Sequence, residues 1–315
     1  MPFASLQTGN DKARPRLLGA VTLLIASSCS ASAQDFSEAE RLLAAGNPEQ
    51  ALAALESVAP RTAAWHLLAS RVFDRLDQPA RAAAEAEAAV DLDPSNEANH
   101  LQLGQVLLTN NNPAAARETF ARALERFPDS LLLRVGLGLA LNRLQLYEEA
   151  EPVFRAVLQG QPTLGIALDG LVAACMAQVR YDAVSAAVTK FVAASPDDFR
   201  GYYYSALAGD KTGLPPAAAE NLLRKSIQRH ATHAPSHALL GKILLQQGRP
   251  EEAALTLEGA IRLRPGDAFG HLHLARAYRR LGRDADADRH AERVKELEGE
   301  RGQPAPVLRR RSATP

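Results

Sequence analysis

Two cysteines, one tryptophan and 5% aromatic residues are the scarcities of this 315-residue chain. Each removes a class of explanation. Cys29 lies in a leader-like N-terminal stretch, so no second cysteine remains for a disulfide with Cys175 and no disulfide framework is implied. A core poor in aromatics and rich in alanine and leucine suits closely packed helix pairs better than a β-sandwich. Lys+Arg 36 against Asp+Glu 36 gives a formal net charge of +0, which leaves no global field for nucleic acid. The G-x-S-x-G, H-E-x-x-H and phosphate-loop patterns are absent, so neither catalysis nor a cofactor is expected. Long apolar runs are missing too, with one exception.

The exception follows Lys12, Arg14 and Arg16. Leu17–Ala26 (LLGAVTLLIA) has the length of a signal-peptide core and is too short to cross a bilayer comfortably. Ala31-Ser32-Ala33 is an A-x-A cleavage pattern. Residues 1–33 are therefore expected to be an export signal, with a periplasmic or secreted product. A rival reading ends a lipobox at Cys29, after Ala26-Ser27-Ser28, and makes an outer-membrane lipoprotein anchored through Cys29.

What the chain has instead is a period. Pro60, Pro94, Pro128, Pro162 and Pro196 are spaced by 34, and Ala231 and Pro265 resume that spacing. The step from Pro196 to Ala231 is 35, which predicts one inserted residue near Gly213-Leu214-Pro215-Pro216. Ten residues after the closing residue come Ser70, Gly104, Gly138, Val172, Ala206, Gly241 and Ala275. Twelve before it come Ala82, Ala116, Ala150, Val184, Ala219 and Ala253. Pro79, Pro113, Pro216 and Pro250 occupy one phase, where a missing N–H suits the first turn of a helix. Each unit reads as helix, turn, helix.

These marks resemble the tetratricopeptide repeat family: the 34-residue period, the small residue in the first helix, the alanines of the second and the closing proline. Trp65 stands near that family's tryptophan position. The resemblance covers residues 36–298, with Phe36–Ala59 as a shortened first unit. It implies an all-α fold, a right-handed superhelical α-solenoid of stacked antiparallel helix pairs. The domain plan is then a 1–33 signal, a 34–298 solenoid whose last helix is a charged cap, and a disordered basic tail at 299–315.

The resemblance also implies a non-catalytic scaffold whose first helices line a groove for a protein or peptide partner. By phase it puts Arg71, Asp74, Arg75, Gln105, Asn142, Arg143 and Asp169 in that groove. Arg200, Tyr203, Asp210, Lys211, Lys242, Arg276, Arg279 and Arg280 follow. Guanidinium forks and tyrosine rings there would grip an extended segment. Some relatives hold acidic chaperone C-termini with a lysine and asparagine pair; Leu67 and Arg71, or Ala238 and Lys242, do not supply it. Tyr202 is expected in the core and Tyr203 in the groove. His230, His233 and His237 could be read as metal ligands, but no cysteine or carboxylate accompanies them, and no metal site is expected. Cys175 should face inward. The expected role is an envelope adaptor; a lipid-anchored part of a pilus, secretion or polysaccharide-export machine is the alternative.

Overall fold

A computed structural model describes residues 35–302. Among these residues there are sixteen α-helices and no strand. They form two compact units divided after Ala174. The first contains α1 (Ser37–Ala44), α2 (Pro48–Glu56), α3 (Ala63–Arg75), α4 (Pro79–Leu92), α5 (Glu97–Thr109), α6 (Pro113–Arg126), α7 (Leu131–Arg143), α8 (Tyr147–Gly160) and most of α9 (Gly165–Ala177). The second contains α10 (Tyr181–Ala194), α11 (Phe199–Thr212), α12 (Pro216–Arg229), α13 (Ala234–Gln246), α14 (Pro250–Leu263), α15 (Ala268–Arg280) and α16 (Asp284–Gly302). Within each unit, helices adjacent in sequence pack together, as in an α-solenoid of antiparallel pairs. The expected solenoid boundary at 298 falls inside α16, which runs on to Gly302. The expected export signal, including Cys29, and the rest of the tail lie outside the described residues.

One turn is used throughout to reverse the chain within a pair. Gly46, Asp77, Asn111, Gln145, Val179, Gly213, Gly248 and Gly282 all have positive φ. The next amide donates to a carbonyl five residues back. Gln78 N reaches Phe73 O at 2.9 Å, Leu146 N reaches Leu141 O at 2.9 Å, and Arg249 N reaches Leu244 O at 3.0 Å. This closure satisfies carbonyls that the helix end leaves free. The left-handed residue precedes the second helix by two in the regular pairs, but Gly213 precedes Pro216 by three. The extra residue is thus placed at Leu214–Pro215, as the spacing predicts.

The helix interiors obey the phase. Ala82, Ala116, Ala150, Val184, Ala219 and Ala253 are all 0% exposed. A large side chain from the second helix then fills the space left by small residues on two first helices. A Cβ at Gly104 would lie 2.2 Å from the Phe120 ring, and one at Gly136 would lie 2.5 Å from it. Gly138 and Gly170 flank Phe154 at 2.7 and 2.2 Å in the same way. One period earlier Ala86 replaces the phenylalanine. There Gln102 stands where Gly136 and Gly170 stand later, and its Nε2 donates to Ser70 Oγ at 3.1 Å. The volume removed from one helix is returned by its neighbour.

Two outcomes follow for stability. Phe120→Ala is expected to cost about 3–5 kcal/mol by opening a cavity. Gly136→Gln alone is expected to cost about 1–3 kcal/mol by overpacking. Combined, they recreate the Ala86–Gln102 pairing, so a denaturation double-mutant cycle should give a total loss below the sum of the two single losses. Additive losses would contradict this compensation. Val179 is β-branched, left-handed at φ 61° and 62% exposed. Val179→Gly is expected to raise stability by roughly 0.5–1 kcal/mol in the same assay.

Candidate partner-binding face

The first helices carry the expected groove residues, and the structure sorts them into open and covered. Eleven and fifteen residues after the closing residue the side chains are open or half-open, with Leu207 as the buried exception. In the first unit these are Arg71 and Arg75, Gln105 and Thr109, and Leu139 and Arg143; in the second they include Lys242 and Gln246, and Arg276 and Arg280. Fourteen residues after it the side chains are covered. Leu108 is 7% exposed and Asn142 2%; the Asp210 side chain is 3% exposed. The next first helix lies over that phase.

Asn142 is therefore not on the open face. Its Nδ2 donates to Gly170 O at 2.8 Å, tying α7 to α9. Lys242 Nζ similarly reaches the covered Asp210 carboxylate and ties α13 to α11. Arg280 donates to Leu245 O, tying α15 to α13. Arg279 escapes burial at the last pair and meets Asp288 at 2.7 Å. Arg200 is engaged at the start of α11, pairing with Asp198 at 3.2 Å and lying over the Phe199 ring at 4.8 Å. Asp169 is half-buried and partnered. Arg276 is exposed, and among the described residues it has no ion-pair partner. Of these charges, Lys242 and Arg280 brace neighbouring first helices.

The tyrosine assignment is reversed. Tyr203 is 5% exposed, with Tyr204 at 5.0 Å and His233 at 4.8 Å, because the start of α13 covers it. Tyr202 is the more open ring. Its hydroxyl donates to Pro196 O at 2.9 Å, and Arg229 lies over it at 4.3 Å.

Tyr202 belongs to a series that spacing alone did not reveal. Six residues after the closing residue, a polar side chain contacts that residue's carbonyl. His100 Nε2 lies 3.0 Å from Pro94 O, His237 Nε2 2.8 Å from Ala231 O, and His271 Nε2 2.9 Å from Pro265 O. Arg134 does the same at Pro128. The histidines are thus pair-closing devices. His271 presents N–H at Nε2 to the Pro265 carbonyl, and its Nδ1 shares a hydrogen bond with His290 Nδ1 at 2.8 Å. His233 contacts Ser236 Oγ at 2.7 Å rather than joining His237. Among the described residues no group of three or more His, Cys, Asp or Glu is placed to hold a metal ion. Cys175 is 0% exposed, as expected of an inward thiol.

A second concavity, of about 710 Å³, lies between α4, α5 and α6. Leu103 and Leu107 contribute its apolar lining, with Glu87, Asp91 and Arg122 among its charged residues.

Models of the tetratricopeptide repeat match residues 36–97 and 101–164, 216–268, and 271–305, together more than half of the chain. The fold and the phase define a repeat scaffold for protein interaction. The chain belongs to the tetratricopeptide repeat family. A tetratricopeptide repeat protein from Parabacteroides merdae is similar with a TM-score of 0.62 at 18% identity, over 77% of this chain and 96% of that one. The Cut9–Hcn1 hetero-tetramer of the APC/C gives 0.59 at 14%, over 76% and 46%. A human IFIT1 dimer with m7Gppp-AAAA gives 0.56 at 17%, over 82% and 66%. At such identities these likenesses show the fold alone. No curated protein matches the sequence.

Two imidazoles are held neutral. Burial pushes His233 down to about 3, helped by His230 and nearby arginines. Burial, then Arg276 and Lys242, push His273 down to about 4, against the pull of Asp210. His273 is 5% exposed and meets the Phe269 ring edge-on at 4.4 Å. A folded value below the unfolded 6.5 means that stability is full above pH 6.5 and falls as pH drops toward 4. His273 alone should cost about 1 kcal/mol by pH 5.5 relative to pH 7.5. Denaturant midpoints at the two pH values check this. His273→Gln should shrink the difference, leaving the His233 share, and an unchanged difference would exclude His273 as a contributor.

Proposed function

We propose that this protein is a non-catalytic adaptor of the bacterial cell envelope that grips an extended segment of a partner protein along its first helices. The observation that carries the reading is the open phase on those helices. Arg71, Arg75, Arg143 and Gln246 belong to it, and Arg276 remains exposed there beside the buried braces. Arginine at an open, otherwise ordered position is well suited to partner recognition. The envelope location rests on Leu17–Ala26 and the A-x-A pattern at Ala31-Ser32-Ala33. Periplasmic or secreted product is the first reading. Anchorage through Cys29 is the second, resting on the residues that precede that cysteine.

The test uses a photo-crosslinking residue at position 276 in cells, with Leu255 as control because it is 69% exposed on a second helix. A discrete protein adduct is expected from 276 and not from 255. Arg279→Glu should lower the 276 adduct about fivefold without changing helicity. Equal labelling at both sites, or none at 276, would sink the first-helix reading. Fractionation of Cys29→Ala separates the two locations: loss from the membrane fraction supports the anchor.

A further inference from the structure

The 710 Å³ concavity is a trough walled by two successive second helices, α4 and α6, with α5 between them as its floor. It shares no residue with the open phase of the first helices, since Gln105 and Thr109 of α5 lie outside its lining. The α4 wall carries little bulk. Ala82, Ala86 and Ala89 are the buried residues of that helix. Room is left above Leu103 and Leu107, which with Val90 make an apolar bed.

The rim is charged. Glu87 and Asp91 stand on α4, Glu118 and Glu125 on α6, and Arg122 and Arg126 are the opposing charges. All six are exposed, and none has a hydrogen-bond or ion-pair partner among the described residues. The repeat does not demand these acids. One period after Glu87 comes Ala121, and one period after Glu118 comes Pro152, so the same phases accept apolar residues. Acids that outnumber arginines along an apolar bed suit an occupant that is apolar and strongly basic at once.

The chain carries such a segment. Residues 303–315 follow α16 and read QPAPVLRRRSATP, with Val307 and Leu308 directly before Arg309, Arg310 and Arg311. Those arginines are the only run of three consecutive basic residues in the sequence. The dimensions agree. The α6 wall from Ala115 to Arg126 is about 16 Å long at the rise of an α-helix. Five residues in extended form reach about 17 Å.

We infer that Val307–Arg311 of this chain docks in the trough, its apolar pair on Leu103 and Leu107 and its arginines on the carboxylates of the rim. A guanidinium fork can give two N–H bonds to one carboxylate, and the apolar bed fixes which residues of the segment face inward. The inference does not rest on the first-helix reading, because the two faces have no residue in common.

Fluorescence anisotropy of a labelled synthetic peptide of residues 303–315 tests it at physiological ionic strength. The peptide is titrated with the full chain and with the full chain carrying Arg309→Glu, Arg310→Glu and Arg311→Glu. Saturable binding to the charge-reversed chain is expected. The unaltered chain should bind roughly fivefold more weakly, because its own segment competes at high effective concentration. Glu87→Lys with Glu118→Lys, added to the charge-reversed chain, should weaken binding roughly tenfold at unchanged helicity. Serine at both 307 and 308 in the peptide should weaken it roughly fivefold by removing the apolar contact. Absence of saturable binding, or no effect of the two lysines, would overturn the site. Equal binding of a scrambled peptide would show attraction for any basic chain, and equal affinity for the two proteins would place the segment elsewhere. Either result also rejects the inference.

Discussion

The space between successive first helices must be filled, by a side chain of the second helix or, above Ala86, by Gln102 of the next first helix, and that interlock is the constraint on which the remaining structure depends. Phe120 between Gly104 and Gly136 is the clearest instance, since a Cβ at either glycine would meet the ring well inside contact distance. Glycine within a helix costs about 1 kcal/mol relative to alanine. The close approach it permits repays that cost through packing, but only when the next pair is present. One pair alone leaves its ring half covered. Stability is consequently a property of neighbours, and each pair's surface is decided by the pair that follows.

That dependence explains which charges are available. A side chain fourteen residues after the closing residue points to where the next first helix will lie. Inside a unit such a residue must be apolar, like Leu108 and Met176, or bonded across the helices, like Asn142 and Asp210. At the last pair the same phase is free to be Arg279. Likewise Ala238 is 1% exposed, whereas Leu272 one period later is 37% exposed. The polar ties are therefore part of the stacking mechanism. Breaking one partner of a covered pair leaves the other desolvated, so charge substitutions at Lys242 report on stability as well as on binding.

Much of the fold is legible in the sequence because its marks are local. The prolines at helix starts, the alanines at 0% exposure and the inserted residue at Leu214–Pro215 all follow from spacing. The site is less legible because coverage is not local. Helical phase within α11 cannot tell that α13 will close over Tyr203 while Tyr202 reaches Pro196 O. The histidines were obscured for another reason. Read as H-x-x-H-x-x-x-H they suggest coordination, but read at six residues past each closing residue they join Tyr202 and Arg134 in one structural series. The signal was present in the period and absent from the motif.

The shortened first unit shows how a change in repeat length alters what surrounds one phase of the first helix. Lys242 and Arg71 are both cations at the same phase. What separates them is the residue on the preceding first helix, Asp210 in one case and Leu43 in the other. A buried acid converts the cation into a brace, and its charge is spent inside the fold. A leucine leaves the cation desolvated and unspent. Arginine is the suitable cation for the second situation, because its charge is more weakly hydrated and stays on at any physiological pH. A lysine there would be driven to shed its proton by burial. The placement of arginine at 71 therefore keeps a fixed positive charge where the opposing carboxylate is the exposed Glu40 and not a covered, bonded acid like Asp210.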